Sequence, residues 1–187
     1  MDLEEKTIQK NYIYRGKIVN LRCDDAALPD GRPCKREVIE HSGGAAVLCV
    51  QGGKVALVRQ FRYAYGEAIY EIPAGKLNAG EDPMLAAKRE LEEETGLQAG
   101  RLVHLFTLYP TPGYTNEKIY IYEAEDVQAG AQRLDEGEFL NVVFLPVEEV
   151  ARMIEAGEIR DAKTIVAVQR YLLEHQNAIE MPQCGKM

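Results

Sequence analysis

A run of glutamates near the middle of the chain carries the clearest chemical signal. Residues 88–96 read Lys-Arg-Glu-Leu-Glu-Glu-Glu-Thr-Gly and end a segment with helical features. At about 100° per residue, Glu90, Glu93 and Glu94 fall within an arc of about 100° on one helix face. Grouped carboxylate oxygens are the ligands that a hard cation such as Mg²⁺, Mn²⁺ or Ca²⁺ requires. The spacing therefore predicts a metal site, with a solvated acidic face as the alternative.

These glutamates are unfavourable for the stability of a helix without a bound cation. Negative charge near a helix C-terminus opposes the helix dipole, at about 0.3–1 kcal/mol per exposed charge. Each pair of like charges three or four residues apart costs about 0.2–0.5 kcal/mol more. Arg89, four residues before Glu93, offsets only part of this cost. We therefore expect the cluster to serve binding rather than stability.

The surrounding segments predict the elements that position this helix. Asp82 and Pro83 form an N-cap and first-turn pair and Gly96 supplies a stop, so the helix spans residues 83–95. Further helices are expected at 146–156 and 162–175. Apolar and alternating stretches predict strands at 11–21, 34–41, 45–50, 54–62, 68–72, 101–109, 117–124 and 139–145. Because strict βαβ alternation is absent, we expect an α+β domain whose mixed sheet is sandwiched by helices.

Composition and charge exclude several classes of protein. The chain has 187 residues, with 22 Lys and Arg against 30 Asp and Glu, so its formal net charge is −8. This balance argues against a nucleic-acid or anionic membrane partner, and no apolar run approaches the roughly 18 residues of a membrane span. The N-terminus is acidic, unlike a secretory signal, and the four scattered cysteines lack zinc spacing. We therefore expect a cytoplasmic protein with reduced thiols.

The segment around the glutamates fits a longer pattern. Gly75 is followed after five residues by Glu81, and after seven more by Arg-Glu-Leu-Glu-Glu-Glu-Thr-Gly-Leu from residue 89. This pattern resembles the signature of the Nudix hydrolase family at every fixed position. The resemblance implies an α/β/α sandwich and hydrolysis of a nucleoside diphosphate linked to another group. It also implies a divalent metal cofactor, with Mg²⁺ expected and Mn²⁺ as an alternative.

The resemblance assigns roles to the acidic helix and the loop before it. Glu90 and Glu94 would be the principal metal ligands, with Glu93 a further ligand or a catalytic support. The carbonyl of Ala74 would be a backbone ligand of the metal.

Other positions of the signature have supporting roles in this resemblance. Arg89 would orient the glutamates during catalysis. Gly75 would permit a tight turn. Glu81 is either a metal ligand or a structural cap of the loop, and the sequence leaves both readings open.

Five shorter segments are similar to the ADP-ribose pyrophosphatase branch of this family. They are KREV at 35–38, VRQFR at 58–62, YEIPAG at 70–75, PGYTNE at 112–117 and EGEF at 136–139. The branch implies cleavage of ADP-ribose, or a related ADP-sugar, to AMP and ribose 5-phosphate. Two alternatives stay open, namely a GDP-mannose-type sugar-nucleotide pyrophosphatase and a Nudix-fold nucleotide-binding module without catalysis.

Substrate contacts in this branch fall on the same segments. Arg62 would contact phosphate or ribose, because a guanidinium can hold a phosphate through two hydrogen bonds. Arg36 of a partner strand would contact the distal sugar. For both arginines a surface salt bridge is the alternative. The resemblance also marks Glu71 and Gly113 as substrate-binding.

The general base of this branch lies on a loop just before a late strand. Glu138 matches that position, with Glu136 and Asp135 as close rivals. Tyr12 and Tyr14 could stack on the adenine, although packing within a strand is the alternative.

The resemblance also implies a domain organisation. We expect an N-terminal β arm over residues 1–41, a Nudix hydrolase domain over 42–176 and a C-terminal tail over 177–187. In the ADP-ribose branch the N-terminal β segment is exchanged between two subunits and helps to build the nucleotide site. We therefore expect a homodimer, with a self-contained hairpin on a monomer as the alternative.

Overall fold

A computed structural model describes residues 2–180 of the chain. Its strands are β1 (Lys6–Gln9), β2 (Tyr12–Arg15), β3 (Val19–Ala27), β4 (Pro33–His41), β5 (Gly44–Gln51), β6 (Lys54–Arg62), β7 (Glu67–Glu71), β8 (Ala74–Lys76), β9 (Leu97–Leu108), β10 (Ile119–Ala129) and β11 (Leu140–Pro146). Its helices are α1 (Pro83–Thr95), α2 (Val147–Glu155) and α3 (Ala162–Glu180). In this part of the chain no helix combines the length and the apolar composition needed to cross a membrane.

The strands form two sheets. β1, β2 and β4 all pair antiparallel with β3 and make a four-stranded N-terminal sheet. The other sheet has seven strands in the order β11-β6-β5-β10-β9, while β7 pairs with β6 and β8 pairs with β5. β10 runs parallel to β5 and antiparallel to β9, so this sheet is mixed, as the sequence predicted.

β5 lies in the middle of the mixed sheet and is buried on both faces. Ala45 and Val47 pack in one core cluster with residues of α1, whereas Ala46 and Leu48 pack in a second cluster with residues of α2 and α3. This alternation explains why β5 is a continuous apolar run instead of alternating with polar residues. The sheet is therefore sandwiched between α1 and the pair α2 and α3, which confirms the expected α+β fold of the α/β/α sandwich type.

The N-terminal strands differ most from the prediction. The single strand predicted at residues 11–21 is wrong, because the chain turns between β2 and β3. In this turn the Gly16 N–H donates to the Val19 carbonyl at 2.9 Å. A Cβ at Gly16 would lie only 2.8 Å from the Val19 carbonyl oxygen, so the turn favours glycine. The short strands β1 and β8 were not predicted, because three or four residues are too few to display a period.

Strand pairing also moves several predicted boundaries. The pairing of β9 with β10 extends to Leu97 and Ala129. β9 therefore starts before the predicted residue 101, and β10 ends after the predicted residue 124. α3 continues to Glu180, so the first residues of the predicted tail 177–187 are helical. Residues 181–187 lie outside the described residues, and the predicted domain boundaries stay a prediction.

Candidate active site

Both ends of α1 are capped, which fixes where its glutamates lie. At the N-terminus, Asp82 Oδ1 accepts hydrogen bonds from the N–H groups of Met84 and Leu85, at 2.9 and 3.2 Å. At the C-terminus, Gly96 has φ = 73° and its N–H donates to the Glu92 carbonyl at 2.8 Å. Glycine adopts this left-handed conformation without the penalty that a Cβ would bring. The predicted start and stop of the helix are thus correct.

Glu94 is the most buried of the predicted metal ligands. It is only 1% exposed, and its Oε2 accepts a hydrogen bond from the Ala74 N–H at 2.8 Å. The pKa of the Glu94 carboxyl is raised to about 8, chiefly by burial and further by the negative charges of Glu138 and Glu90. A cation bound nearby would stabilise the ionised form and lower this pKa, in competition with the proton.

Glu90 lies against the backbone of β8. A Cβ built on Gly75 would be 2.0 Å from Glu90 Oε1 and 2.1 Å from its carboxyl carbon. The space for the Glu90 carboxylate therefore exists only because residue 75 has no side chain. Gly75 is not among the glycines with positive φ. The predicted role of Gly75 in a tight turn is therefore wrong, since the structure requires glycine there for close approach.

Replacing Gly75 with alanine is expected to lower hydrolysis by at least about tenfold while the protein stays folded. The new methyl group would displace the Glu90 carboxylate, which is the flexible end of a side chain. The free energy of unfolding should therefore change by less than about 1 kcal/mol. Steady-state kinetics and thermal melting would measure the two effects. In a Glu90→Gln background the same change should cost little further activity. A large loss in that background would show that Gly75 acts by another route.

Arg89 connects the acidic residues of this region, and its predicted orienting role stays a prediction. Its Nε and Nη2 donate to Glu81 at 2.9 and 3.0 Å, and its Nη1 donates to Glu90 and Glu93 at 2.7 and 2.8 Å. Glu81 also accepts a hydrogen bond from the Asn78 N–H at 2.8 Å. Glu81 is thus engaged by Arg89 and by the loop, which favours its reading as a support.

Glu93 differs in position from the other two glutamates. Besides its bond to Arg89, it lines a groove along α1 with Lys88 and Arg133. Among the side chains that the structure describes, those of residues 2–175, no three Asp, Glu, His or Cys groups converge closely enough to hold one ion. The Arg89 guanidinium supplies positive charge between Glu90 and Glu93, and the three-carboxylate metal site stays a prediction.

The remaining donors nevertheless fit a hard divalent cation. Glu90 and Glu94 supply carboxylate oxygens. Ala74, whose N–H bonds to Glu94, lies beside them and has a backbone carbonyl. The cradle that Gly75 leaves for the Glu90 carboxylate and the burial of Glu94 are both suited to a bound ion. Oxygen donors of this kind match Mg²⁺ or Mn²⁺ rather than a softer metal.

An open cleft of about 520 Å³ lies beside these residues. Polar and charged side chains from β6, β8, α1 and the loop before β11 line it. They include Gln60, Arg62, Lys76, Asn78, Arg89, Glu90, Asp135, Glu136 and Glu138. The cleft therefore brings together residues that are up to 78 positions apart in the chain.

The three candidate bases all line the cleft, but their surroundings differ. Glu138 Oε1 accepts a hydrogen bond from Gln60 Nε2 at 3.3 Å, and its Oε2 accepts one from the Asp135 N–H at 3.4 Å. After burial, the charge of Glu138 is among the causes that raise the pKa of Glu90 and of Glu94. This coupling to both ligands favours Glu138 as the base over Asp135 and Glu136.

The loop that carries Glu138 is attached to the end of α1. The Arg133 N–H donates to the Glu93 carbonyl at 2.9 Å, and Gln132 Nε2 donates to the Glu94 carbonyl at 2.6 Å. These bonds satisfy carbonyls that a helix C-terminus leaves unpaired. As a result, the start of the loop that carries the candidate base is anchored to the end of the helix that carries the candidate ligands.

Arg62 and Glu71, both predicted to bind substrate, bind each other. Arg62 Nε and Nη2 donate to the two oxygens of Glu71 at 2.5 and 2.9 Å. Glu71 is 2% exposed and is also paired with Lys163. Arg62 lines the cleft, so its predicted contact with phosphate is geometrically available. The direct contact predicted for Glu71 stays a prediction, and in this structure Glu71 holds Arg62.

Other predicted residues lie outside the residues that line the cleft. Arg36 on β4 pairs with Glu5, at 2.6 and 2.8 Å, which is the salt bridge weighed as its alternative. Gly113 lies in the segment between β9 and β10 with open space around it. Tyr12 packs under the guanidinium of Arg15, with 3.5 Å between the guanidinium carbon and the ring centroid, while Tyr14 is exposed.

Sequence reasoning missed three residues that shape the site. Gln60 lies in the VRQFR segment, so the resemblance offered a signal for it. Gln132 and Lys163 had none, because their partners Glu94 and Glu71 are 38 and 92 positions away. Contacts of this range depend on the fold and not on local spacing.

Comparisons with known proteins cover almost the whole chain. Residues 40–175 match the NUDIX domain, and residues 5–39 match the nucleoside diphosphate sugar hydrolase N-terminal domain. The crystal structure of an ADP compounds hydrolase has a TM-score of 0.80 at 22% identity, covering 94% of this chain and 98% of that chain. At this identity the likeness shows the fold alone.

Curated relatives carry three different names. An ADP-ribose pyrophosphatase of Bacillus subtilis (strain 168) is 43% identical over 89% of this chain and 92% of its own length. A methanol dehydrogenase activator of Bacillus methanolicus is 40% identical over 91% and 94%. A GDP-mannose pyrophosphatase of Shigella flexneri serotype 5b (strain 8401) is 33% identical over 92% and 95%.

These relatives cover nearly the whole chain, and the matched domain contains both the acidic helix and the cleft. Members of this family generally use divalent metal ions, in agreement with the donors found beside Gly75. The chain belongs to the Nudix hydrolase family.

Proposed function

We propose that this chain hydrolyses the diphosphate of ADP-ribose, or a related ADP-sugar, to AMP and ribose 5-phosphate. The observation that carries the proposal is the cleft in which Glu90 and Glu138 lie with Arg62, beside the buried Glu94. A diphosphate is itself an anion, so carboxylates can act on it only together with cations. The 43% identity to an ADP-ribose pyrophosphatase supports this choice of substrate.

We assign Mg²⁺ as the metal, with Mn²⁺ as an alternative. Glu90, Glu94 and the Ala74 carbonyl would hold it, and Glu93 would support them. When bound, such an ion neutralises phosphate charge and makes water more acidic.

The chain's own residues would carry out the remaining steps. Arg62 donates hydrogen bonds to a phosphate oxygen and so orients the diphosphate. Water attacks phosphorus, Glu138 accepts its proton, and the P–O bond to the leaving phosphate breaks. Arg89 keeps Glu90 in place during this reaction. The hydrogen bonds of Glu138 to Gln60 and to the Asp135 N–H support its role, because they aim its carboxylate from the loop into the cleft.

A substrate panel tests the proposal directly. With Mg²⁺ present, kcat/KM should be highest for ADP-ribose among ADP-ribose, GDP-mannose, NADH and diadenosine polyphosphates. Product analysis should find AMP and ribose 5-phosphate without free adenine. A tenfold or greater preference for GDP-mannose, about 1.4 kcal/mol, would establish the alternative that the 33% identical relative suggests. Binding of these nucleotides without any hydrolysis would instead indicate a nucleotide-binding module.

We also propose a homodimer in which the N-terminal β arm contacts the partner. The exposed apolar side chains of Ile8, Ile13 and Tyr14 on β1 and β2 support an interface on this arm. Such an arrangement would allow Arg36 of one subunit to reach the substrate of the other, with Gly113 lining the same site. Light scattering of the purified protein would give its mass in solution.

We propose a cytoplasmic location. Cys23, Cys34 and Cys49 are free thiols, as expected for a reducing compartment.

A further inference from the structure

Two basic residues near the start of α3 pair with two glutamates of β7. Arg160 donates to Glu67 at 2.9 Å, and both side chains are largely open to solvent, with 63% and 41% exposed. Lys163 pairs with Glu71, and here only 10% and 3% of the side chains are exposed. The two pairs connect the same elements, but only the Lys163 pair is buried.

The buried pair is extended to the active-site cleft by Arg62. Both oxygens of Glu71 accept hydrogen bonds from Arg62, and Oε2 also accepts one from Lys163. The Arg62 side chain is 40% exposed and lines the cleft, whereas Glu71 and Lys163 lie behind it. Glu71 is therefore shared between one cation that faces the cleft and one that does not.

The charges of this group differ from those of a simple ion pair. Without Lys163, Arg62, Glu71 and Asp161 together would have a net charge of −1, so Arg62 would attract a diphosphate only weakly. Lys163 places a second positive charge beside the Glu71 carboxylate. Asp161 also contacts Lys163, at 3.0 Å, but its other oxygen accepts hydrogen bonds from the N–H and the hydroxyl of Thr164 in the first turn of α3. The positive end of the helix dipole thus balances part of the Asp161 charge.

We propose that Lys163 is a positioning residue for phosphate binding, because sharing Glu71 leaves Arg62 both aligned and positively charged toward the diphosphate. This inference rests on the proposed function. Burial would raise the pKa of Glu71, but the hydrogen bonds and charges of Arg62 and Lys163 outweigh it and lower the pKa, so Glu71 stays ionised. Lys163 would act through Glu71, because it is not among the residues that line the cleft.

Lys163→Met tests this inference, because it removes the charge and keeps most of the side-chain length. We expect kcat/KM for ADP-ribose to fall by at least tenfold, equivalent to about 1.4 kcal/mol. In an Arg62→Met background the same substitution should change kcat/KM by less than about twofold, since residues acting through one group are not additive. Arg160→Met is the matched control and should have little effect in either background.

Thermal melting of each variant separates this role from a purely structural one. If Lys163→Met does not fold, Lys163→Gln, which can still donate to Glu71, takes its place with the same expected result. An equal loss in both backgrounds would overturn the inference, because Lys163 would then act independently of Arg62. A wild-type kcat/KM in Lys163→Met, or in Lys163→Gln where that variant takes its place, would also overturn the inference. Failure of the wild-type protein to hydrolyse ADP-ribose would instead contradict the proposed function, before any variant is compared.

Discussion

Glu94→Gln is expected to lower the rate of ADP-ribose hydrolysis by at least about 10³-fold, and Glu90→Gln should have a similar effect. Both residues are proposed ligands of the metal, whose stabilisation of developing charge is worth several kcal/mol, and about 4 kcal/mol corresponds to that loss in rate. Glutamine keeps the shape of the side chain but not its charge. The expected loss is therefore one of metal binding and not of packing.

Initial rates over a Mg²⁺ titration, followed by addition of EDTA, would measure this effect. Glu92→Gln is a matched control, since Glu92 lies on the same helix and bonds to Gln98 at 2.9 Å. It should keep at least half of the wild-type activity. Full activity of Glu94→Gln, or of the wild-type protein in EDTA, would show that the metal site is elsewhere.

The same residue makes stability depend on pH when no metal is bound. The pKa of Glu94 is raised from 4.5 to about 8, so between these values the folded protein binds this proton more tightly than the unfolded chain. Its contribution to stability is fully present below pH 4.5 and is lost as pH rises to about 8. Melting temperatures in EDTA should therefore fall over this range, and less steeply in Glu94→Gln. If the melting temperatures of both proteins depended equally on pH, this would contradict the burial of an ionisable Glu94.

Glu138→Gln is expected to lower kcat by about 10²–10⁴-fold, the usual range for loss of a general base. KM should change little, because the carboxylate would act in the transition state and not in uniform substrate binding. Glutamine keeps one acceptor oxygen for the hydrogen bond from Gln60 and loses the longer bond from the Asp135 N–H, so the loop should move little. Turnover at saturating Mg²⁺ and ADP-ribose is the measurement.

Glu136→Gln is the control for this prediction, because Glu136 lines the same cleft on the same loop. Glu136→Gln should have only a mild effect on kcat. If Glu138→Gln keeps more than about a third of the wild-type turnover, less than about 1 kcal/mol of barrier, the base lies elsewhere. A large loss at Glu136 would then move the role to that residue.

Local spacing explains why α1 could be predicted so well. Its N-cap Asp82 and its C-terminal Gly96 act within one turn of the helix, and both are found where the pattern placed them. The α+β class followed from the order of apolar segments. The strand predicted at 11–21 was wrong because a turn closed by the hydrogen bond from the Gly16 N–H to the Val19 carbonyl interrupts it.

Long-range packing explains what could not be predicted about the site. Glu90, Glu93 and Glu94 have the same residue type and lie on one helix face, yet the fold buries Glu94 and places Glu90 against Gly75, whereas Glu93 bonds to Arg89 within the helix. The positions of Glu90 and Glu94 depend on β8, which packs beside α1 only in the folded chain.

The amino-acid sequence alone determined the acidic helix, its caps and the family signature, because each depends on residues within about one turn or at fixed spacing. Only the tertiary structure decided which carboxylates face the cleft and which cations they meet. Lys163 reaches Glu71 across 92 positions, and Glu138 meets Gln60 across 78. A pairing of this range depends on how the sheet brings distant segments together, and the chemistry of the cleft follows from that arrangement.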